Sequence, residues 1–304
     1  MKINGDIIKK MREGMGMTRD DLAERVHISA HQLGRLERGE NLPSIWQMME
    51  ILEMLGQPSD DFWLLYLEAV EFDDYRIYRQ LKREIGNNEL AKAKETHKHL
   101  ENSTLAKQHP IAQYLAYTRI CLDESLPHPE AIEALHEALL DSWKDFDMSK
   151  IHERRLTYNE IYILNEIASR YSRMGDHEKA INIMQLLIDG RESSKTSEDD
   201  RAKLFPALMF NLSNHLGKAG RLKEAQDVCE KAIKVCREYN SLRVIPKILL
   251  NLASCLRMQG EEKRVWEVHL FRAYYAAYAH GSTELGKEIK ENAEKNFGVV
   301  IKDT

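Results

Sequence analysis

No stretch of this 304-residue chain approaches the ~20 apolar residues needed to cross a bilayer. The longest, "FWLLYLEAV" from Phe62 to Val70, is broken by Glu68, so no membrane partner is expected. The opening "MKINGDIIKKMREGMG" scatters its charges instead of setting a basic start before an apolar block, which argues against a secretion signal and for the cytoplasm. Only four cysteines occur, Cys121, Cys229, Cys236 and Cys255, with no CxxC pair and no nearby histidine set. They read as reduced, buried thiols rather than disulfides or metal ligands. P-loop, HExxH and GxSxG patterns are missing. The pairs His136-Glu137 and His152-Glu153 are adjacent in sequence and so do not share a helix face. The chain does not read as an enzyme, and no catalytic residue, metal or cofactor is expected.

What is present is helix-forming. The chain is 43% hydrophobic and 31% charged, with seven prolines and 8% aromatics, a balance that favours an all-α protein. Its length exceeds one compact core and calls for two domains or a repeat array.

The sharpest local signal lies in "MTRDDLAERVHISAHQLGRLERGE", Met17 to Glu40. Thr18 with Asp21, and Ser29 with Gln32, have the spacing of capping boxes and start two short helices. Leu22, Ala23 and Val26 point inward on the first, Leu33 and Leu36 on the second, with Ile28 in the turn between. That is helix-turn-helix spacing. The turn position that usually takes Gly holds His27, a residue that tolerates the left-handed conformation better than most. Upstream, Ile7, Ile8 and Met11 form an apolar face. Downstream, "PSIWQMMEILEMLG" starts a helix at Pro43 or Ser44 with Ile45, Met48, Met49, Leu52 and Leu55 inward.

This stretch resembles the DNA-binding domain of bacterial Xre-type regulators. Arg12, Thr18, Leu22, Ala23, Ile28, Ser29, Glu37, Arg38, Gly39, Pro43 and Ser44 carry the likeness, which covers about the first sixty residues. The resemblance implies that the third helix enters the major groove of double-stranded DNA. Ala30, His31, Gln32 and Arg35 on its outer face are then the base-reading candidates. Thr18, Arg19, Ser29, Arg38 and Asn41 fall near phosphates. It also implies that Arg12 and Glu37 form an ion pair inside the domain. Gly34, inside the third helix, costs ~1 kcal/mol relative to Ala, in return for close approach to either a phosphate or a neighbouring helix. Between Met1 and Gly56 eight basic residues face nine acidic ones. A domain so charged binds DNA weakly alone, since phosphate neutralisation supplies much of the affinity, and a homodimer on a pseudo-palindromic operator is expected.

The segment "SDDFWLLYLEAVEFDDYRIYRQLKREIG" reads as one or two connecting helices with no Gly/Ser linker, a junction stiff enough to transmit a rearrangement. Three later segments repeat: "NEIASRYSRMGDHEKAINIMQLL", "NLSNHLGKAGRLKEAQDVCEKAI" and "NLASCLRMQGEEKRVWEVHLFRA". Each has a small residue in mid-helix (Ala168, Ser213, Ala253), a large one three later (Tyr171, Leu216, Leu256), then Gly175, Gly220 or Gly260. Ala180, Ala225 and Val265 follow at corresponding places in a second helix. These segments resemble tetratricopeptide repeats, though the glycines stand 45 and 40 apart against a standard ~34. "SSKTSEDDR" supplies one extended loop, and about five repeats are expected. The resulting architecture is a helix-turn-helix domain with the start of a connecting helix over residues 1–66, then a right-handed tetratricopeptide-like superhelix over 67–304.

In such a stack the first helix of each pair lines a concave groove suited to an extended peptide. Asn165, Asn211 and Asn251 sit near equivalent turns there, and an Asn amide offers both a donor and an acceptor to a peptide backbone. An Asn in that place also serves as a cap or as a bond to the next repeat. Helical spacing adds Tyr162, Ser169, Arg173, Asn214, Lys247, Ser254 and Arg257 as groove candidates, the cations suited to a peptide carboxylate. The aromatic run "FRAYYAAYAHG" reads as packing.

Taken together, the chain resembles the peptide-responsive quorum-sensing regulators of Gram-positive bacteria, the RRNPP group of Rgg, PlcR and PrgX. The resemblance implies that successive asparagines hold a short imported signalling peptide, and its carry-over falls on Asn165 and Asn211. The alternative is a regulator of the same build whose repeat domain binds a protein partner.

Overall fold

The structure, a computed structural model, describes residues 5–56, 69–87, 89–108, 110–153, 156–192 and 204–302. Every described regular element is a helix, and none is long and apolar enough to cross a membrane. The chain divides into two compact units, Met1–Leu122 and Asp123–Thr304. The first helix pair after the helix-turn-helix thus groups with the N-terminal bundle. The expected connecting segment lies partly outside the described residues, as does the loop "SSKTSEDDR".

Four helices open the first unit: α1 (Gly5–Gly14), α2 (Arg19–Arg25), α3 (Ala30–Glu37) and α4 (Ile45–Met54). Three of them start at a reciprocal capping box, Thr18 with Asp21, Ser29 with Gln32 and Ser44 with Gln47. Ser44 is therefore the cap of α4 and Pro43 lies outside it. Between α2 and α3 the chain turns at His27, whose φ is +52°, the left-handed value the sequence demands there. The core consists of Ile7, Ile8, Leu22, Ala23, Val26, Leu33, Leu36, Met48, Ile51, Leu52 and Leu55. Ile51 joins it although the sequence pattern assigned that place to Met49, which is only half-buried. The side chain of Ile45 lies outside the described residues. Gly5 is indispensable at the start of α1. A methyl added there would sit inside the carbonyl oxygen of Leu36, so α1 meets the end of α3 backbone to backbone.

The first unit continues with α5 (Ala69–Gly86), α6 (Leu90–Glu101) and α7 (Ile111–Leu122). Tyr78 meets Tyr114 edge-on with ring centroids 5.4 Å apart. The Lys82 ammonium lies 5.2 and 5.5 Å from the two ring centres, and burial pushes its pKa down.

The second unit comprises α8 (His128–Leu140), α9 (Tyr158–Arg173), α10 (His177–Glu192), α11 (Phe205–Lys218), α12 (Leu222–Glu238), α13 (Ile245–Met258), α14 (Lys263–Ala279) and α15 (Thr283–Asn292). Pairs α9/α10, α11/α12 and α13/α14 correspond to the three repeated segments. Each turns at its glycine with φ of +88°, +78° and +83° at Gly175, Gly220 and Gly260. A side chain with a Cβ is strained at those angles. Ala168, Ser213 and Ala253 are fully buried, as are Ala180 and Ala225, so small residues mark where helices cross. In the aromatic run Tyr274 is buried while Tyr275 and Tyr278 are exposed. Packing accounts for only part of it.

Candidate DNA-reading surface and repeat groove

Glu37 organises the helix-turn-helix. Its carboxylate is buried and accepts from Arg12 Nε at 2.6 Å through one oxygen. Its other oxygen accepts from Arg19 Nε at 3.0 Å and pairs with Arg19 Nη2 at 2.9 Å. Arg12 also donates to the Met17 carbonyl at 2.7 Å, and its guanidinium pKa is raised by the Glu37 bond. The ion pair expected between Arg12 and Glu37 is present, and Arg19 completes a three-residue clasp of α1, α2 and α3. Gly34 is buried beneath it. A methyl there would lie 3.4 to 3.5 Å from Arg38 Nη1 and from Arg19 Cδ and Nε. Two arginine side chains, one of them from α2, therefore pass over the position.

The outer cations of α3 are also held. Arg35 Nη2 donates to Asn41 Oδ1 at 2.6 Å, and its Nε lies 3.6 Å from Glu40. Arg38 makes a two-pronged contact with Glu40 at 2.6 and 3.1 Å. Those bonds hold the Glu40 carboxyl below its ordinary range, Arg38 foremost, with Arg35 and His31 adding to the effect. Gln32 Oε1 accepts from the Ser29 amide at 2.9 Å and from Ser29 Oγ at 3.1 Å. Its oxygen is therefore spent in the cap, which leaves Nε2 as its remaining polar group. Thr18 is similarly engaged with Asp21, whose carboxyl pKa is lowered by the Thr18 bonds. His31 is exposed, while Ala30 packs partly against the core. Sequence reasoning missed Glu40. An acid two residues from Arg38 and five from Arg35 was a legible sign.

On the repeat helices the groove candidates fall on half-buried stripes. Tyr162, Asn165 and Ser169 share one on α9, Asn211 and Asn214 one on α11, and Lys247, Asn251 and Ser254 one on α13. Arg173 and Arg257 stand exposed at the helix ends. The asparagines are not alike. Nine residues before the closing glycine stand Glu166, Asn211 and Asn251, whereas Asn165 is ten before Gly175. Asn211 Nδ2 donates back to Asn165 Oδ1 at 2.7 Å, and Asn251 Nδ2 to Ser213 Oγ at 2.7 Å.

Ser169 and Ser254 turn their hydroxyls onto their own helix, donating to the Asn165 and Leu250 carbonyls. Arg173 lies 3.7 Å from Glu166. Arg257 donates to the Asn296 carbonyl and stacks on the Phe297 ring. Burial raises the pKa of Tyr162. Nearby, His215 is buried, and neither ring nitrogen has a partner among the described residues. Desolvation, helped by Lys218 and His177, pushes its pKa down to about 4.

Residues 8–62 match the family model described as Helix-turn-helix. No curated protein matches the chain. Among solved structures it is similar to Bacillus thuringiensis PlcR in complex with the peptide PapR7 and DNA, with a TM-score of 0.70 and 19% identity. That match spans 95% of this chain and 99% of that one. The apo competence regulator ComR from Streptococcus vestibularis aligns with a TM-score of 0.53 and 17% identity, over 95% of this chain and 96% of its own. The Streptococcus dysgalactiae SHP pheromone receptor Rgg2 aligns at 0.55 and 16%, over 96% and 99%. The chain thus carries a helix-turn-helix domain and shares, nearly end to end, the all-helical fold of these proteins.

Proposed function

We propose that this chain is a cytoplasmic, dimeric transcription regulator that reads DNA through α3 and is controlled by a short signalling peptide on the stripes of α9, α11 and α13. One observation carries the reading: a clasped helix-turn-helix and a repeat stack share one chain, and that chain follows the fold of PlcR, crystallised with both a peptide and DNA, almost end to end.

On the DNA side, His31 and the Gln32 Nε2 donor face the base edges, and Arg35 suits guanine. Arg19 and Arg38, with the amide N–H groups at the starts of α2 and α3, face phosphates. Glu37 and Glu40 already pair with three of these cations and offset part of their charge. Affinity for a single half-site is accordingly low, and pairing two domains on a pseudo-palindrome supplies the rest. A peptide preferring one arrangement of the dimer shifts the operator-binding population by its difference in affinity for the two states.

The test is selection of duplexes from a random library by the full-length chain. His31→Ala and Arg35→Ala are expected to change the recovered sequence, whereas Arg38→Ala weakens binding to all sequences alike. Recovery of the wild-type motif by both of the first two variants would remove α3 as the reading element.

A further inference from the structure

Seven residues before the closing glycines of α9, α11 and α13 stand Ala168, Ser213 and Ala253, all fully buried. Packing asks only for a small side chain at these places, so the hydroxyl of Ser213 is surplus to it. A buried hydroxyl is tolerated when it is bonded, and this one makes two bonds. Its Oγ gives its single proton to the Phe210 carbonyl at 2.7 Å and accepts from Asn251 Nδ2 at 2.7 Å.

An oxygen that has donated its proton can only accept. With the Ser213 proton on the Phe210 carbonyl, the amide of Asn251 turns its nitrogen toward Ser213 and its Oδ1 away. Among the described residues that Oδ1 has no partner, and Asn251 lies on the half-buried stripe of α13. Asn211 and Asn165 differ, because two facing amides remain bonded if both flip together.

We propose that Ser213 is a positioning residue for ligand recognition: it locks Asn251 as a hydrogen-bond acceptor, so that the peptide must present a backbone N–H at that rung. This rests on the peptide reading of the repeat stack. Ser213 itself is fully buried and acts only through Asn251.

The experiment pans the full-length chain against a random heptapeptide library and resynthesises the tightest binder with each backbone N–H methylated in turn. On the wild-type chain one methylated position is expected to weaken binding about tenfold, the scale of one well-oriented hydrogen bond. In Ser213→Ala, as in Asn251→Ala, that penalty falls below about threefold, and the unmodified peptide binds roughly five- to tenfold more weakly. Alanine occupies the equivalent places in the neighbouring repeats, so Ser213→Ala retains the helical circular dichroism of the wild type. If Ser213 is merely a tie between repeats, its variant melts earlier while every methylation penalty keeps its wild-type size, and the proposal is overturned. A library from which the wild-type chain selects nothing would sink the peptide reading, and this proposal with it.

Discussion

The two ends of the molecule build helices by different means. In the N-terminal bundle α2 and α3 have 7 and 8 residues, too short to persist alone, and each starts at a reciprocal side-chain cap. In the repeat stack α9 also starts at a reciprocal box, Thr157 with Glu160, but α12, α13 and α14 run 17, 14 and 17 residues with no side-chain cap bond at their starts. Their order comes from burial along one face. The difference extends to polar groups: the bundle ties its cations to carboxylates within a few residues of α3, while the stack ties its amides across repeats about forty residues apart.

The largest expected effect strikes the bundle at its clasp. Glu37→Gln leaves Arg12 facing an uncharged partner at a buried site, and removing one side of such a pair costs about 3 kcal/mol. Denaturant unfolding followed at the helix-turn-helix reads that loss, while the repeat stack keeps its midpoint.

The next effect belongs to the stack. His215 has its folded-state pKa depressed to about 4 from an ordinary value of 6.5, so the unfolded chain binds the proton first as pH falls. Its contribution is complete above pH ~6.5 and is lost on the way down through about 4, roughly 2 kcal/mol of it by pH 5. In His215→Leu, melting temperature against pH loses that part of its slope. An unchanged slope means another group carries it.

Smaller, and aimed directly at the contrast, are the caps. Ser29→Ala is expected to cost the bundle about 1 kcal/mol. Glu262→Ala, at the uncapped start of α14, stays within about 0.5 kcal/mol of wild type. Equal effects would erase the distinction between the two regions. The smallest is Glu40→Gln, which releases Arg35 and Arg38. Binding to an arbitrary duplex at low salt is expected to tighten about two- to threefold, with a steeper salt dependence.

The same contrast explains what could be read from the chain alone. Caps, the left-handed His27 and the repeat glycines are signals local in sequence or fixed by spacing, the Arg12–Glu37 pair was implied by the family resemblance, and all are found in the structure. Contacts set by three-dimensional neighbours were harder to read. Asn165 stands one position out of register with Asn211 and Asn251, an offset legible in the sequence, but that the two donors find different acceptors was not. Ser213 read only as the small mid-helix residue of its repeat, because the repeat pattern alone placed it. Gln32 was given both a cap and a base contact, and its oxygen serves the cap. Ile51 stands three residues after Met48 and four before Leu55, so helical spacing marked it for the core as readily as Met49.

One measurement bears on the central claim most directly: the affinity of the selected peptide for the full-length chain, with and without a saturating amount of the selected duplex. Because coupling between two binding sites is reciprocal, duplex and peptide are expected to alter each other's affinity by one common factor, of order five- to a hundredfold. Tight binding of each with a factor of one in both directions would contradict control of DNA reading by a peptide on the repeat stack.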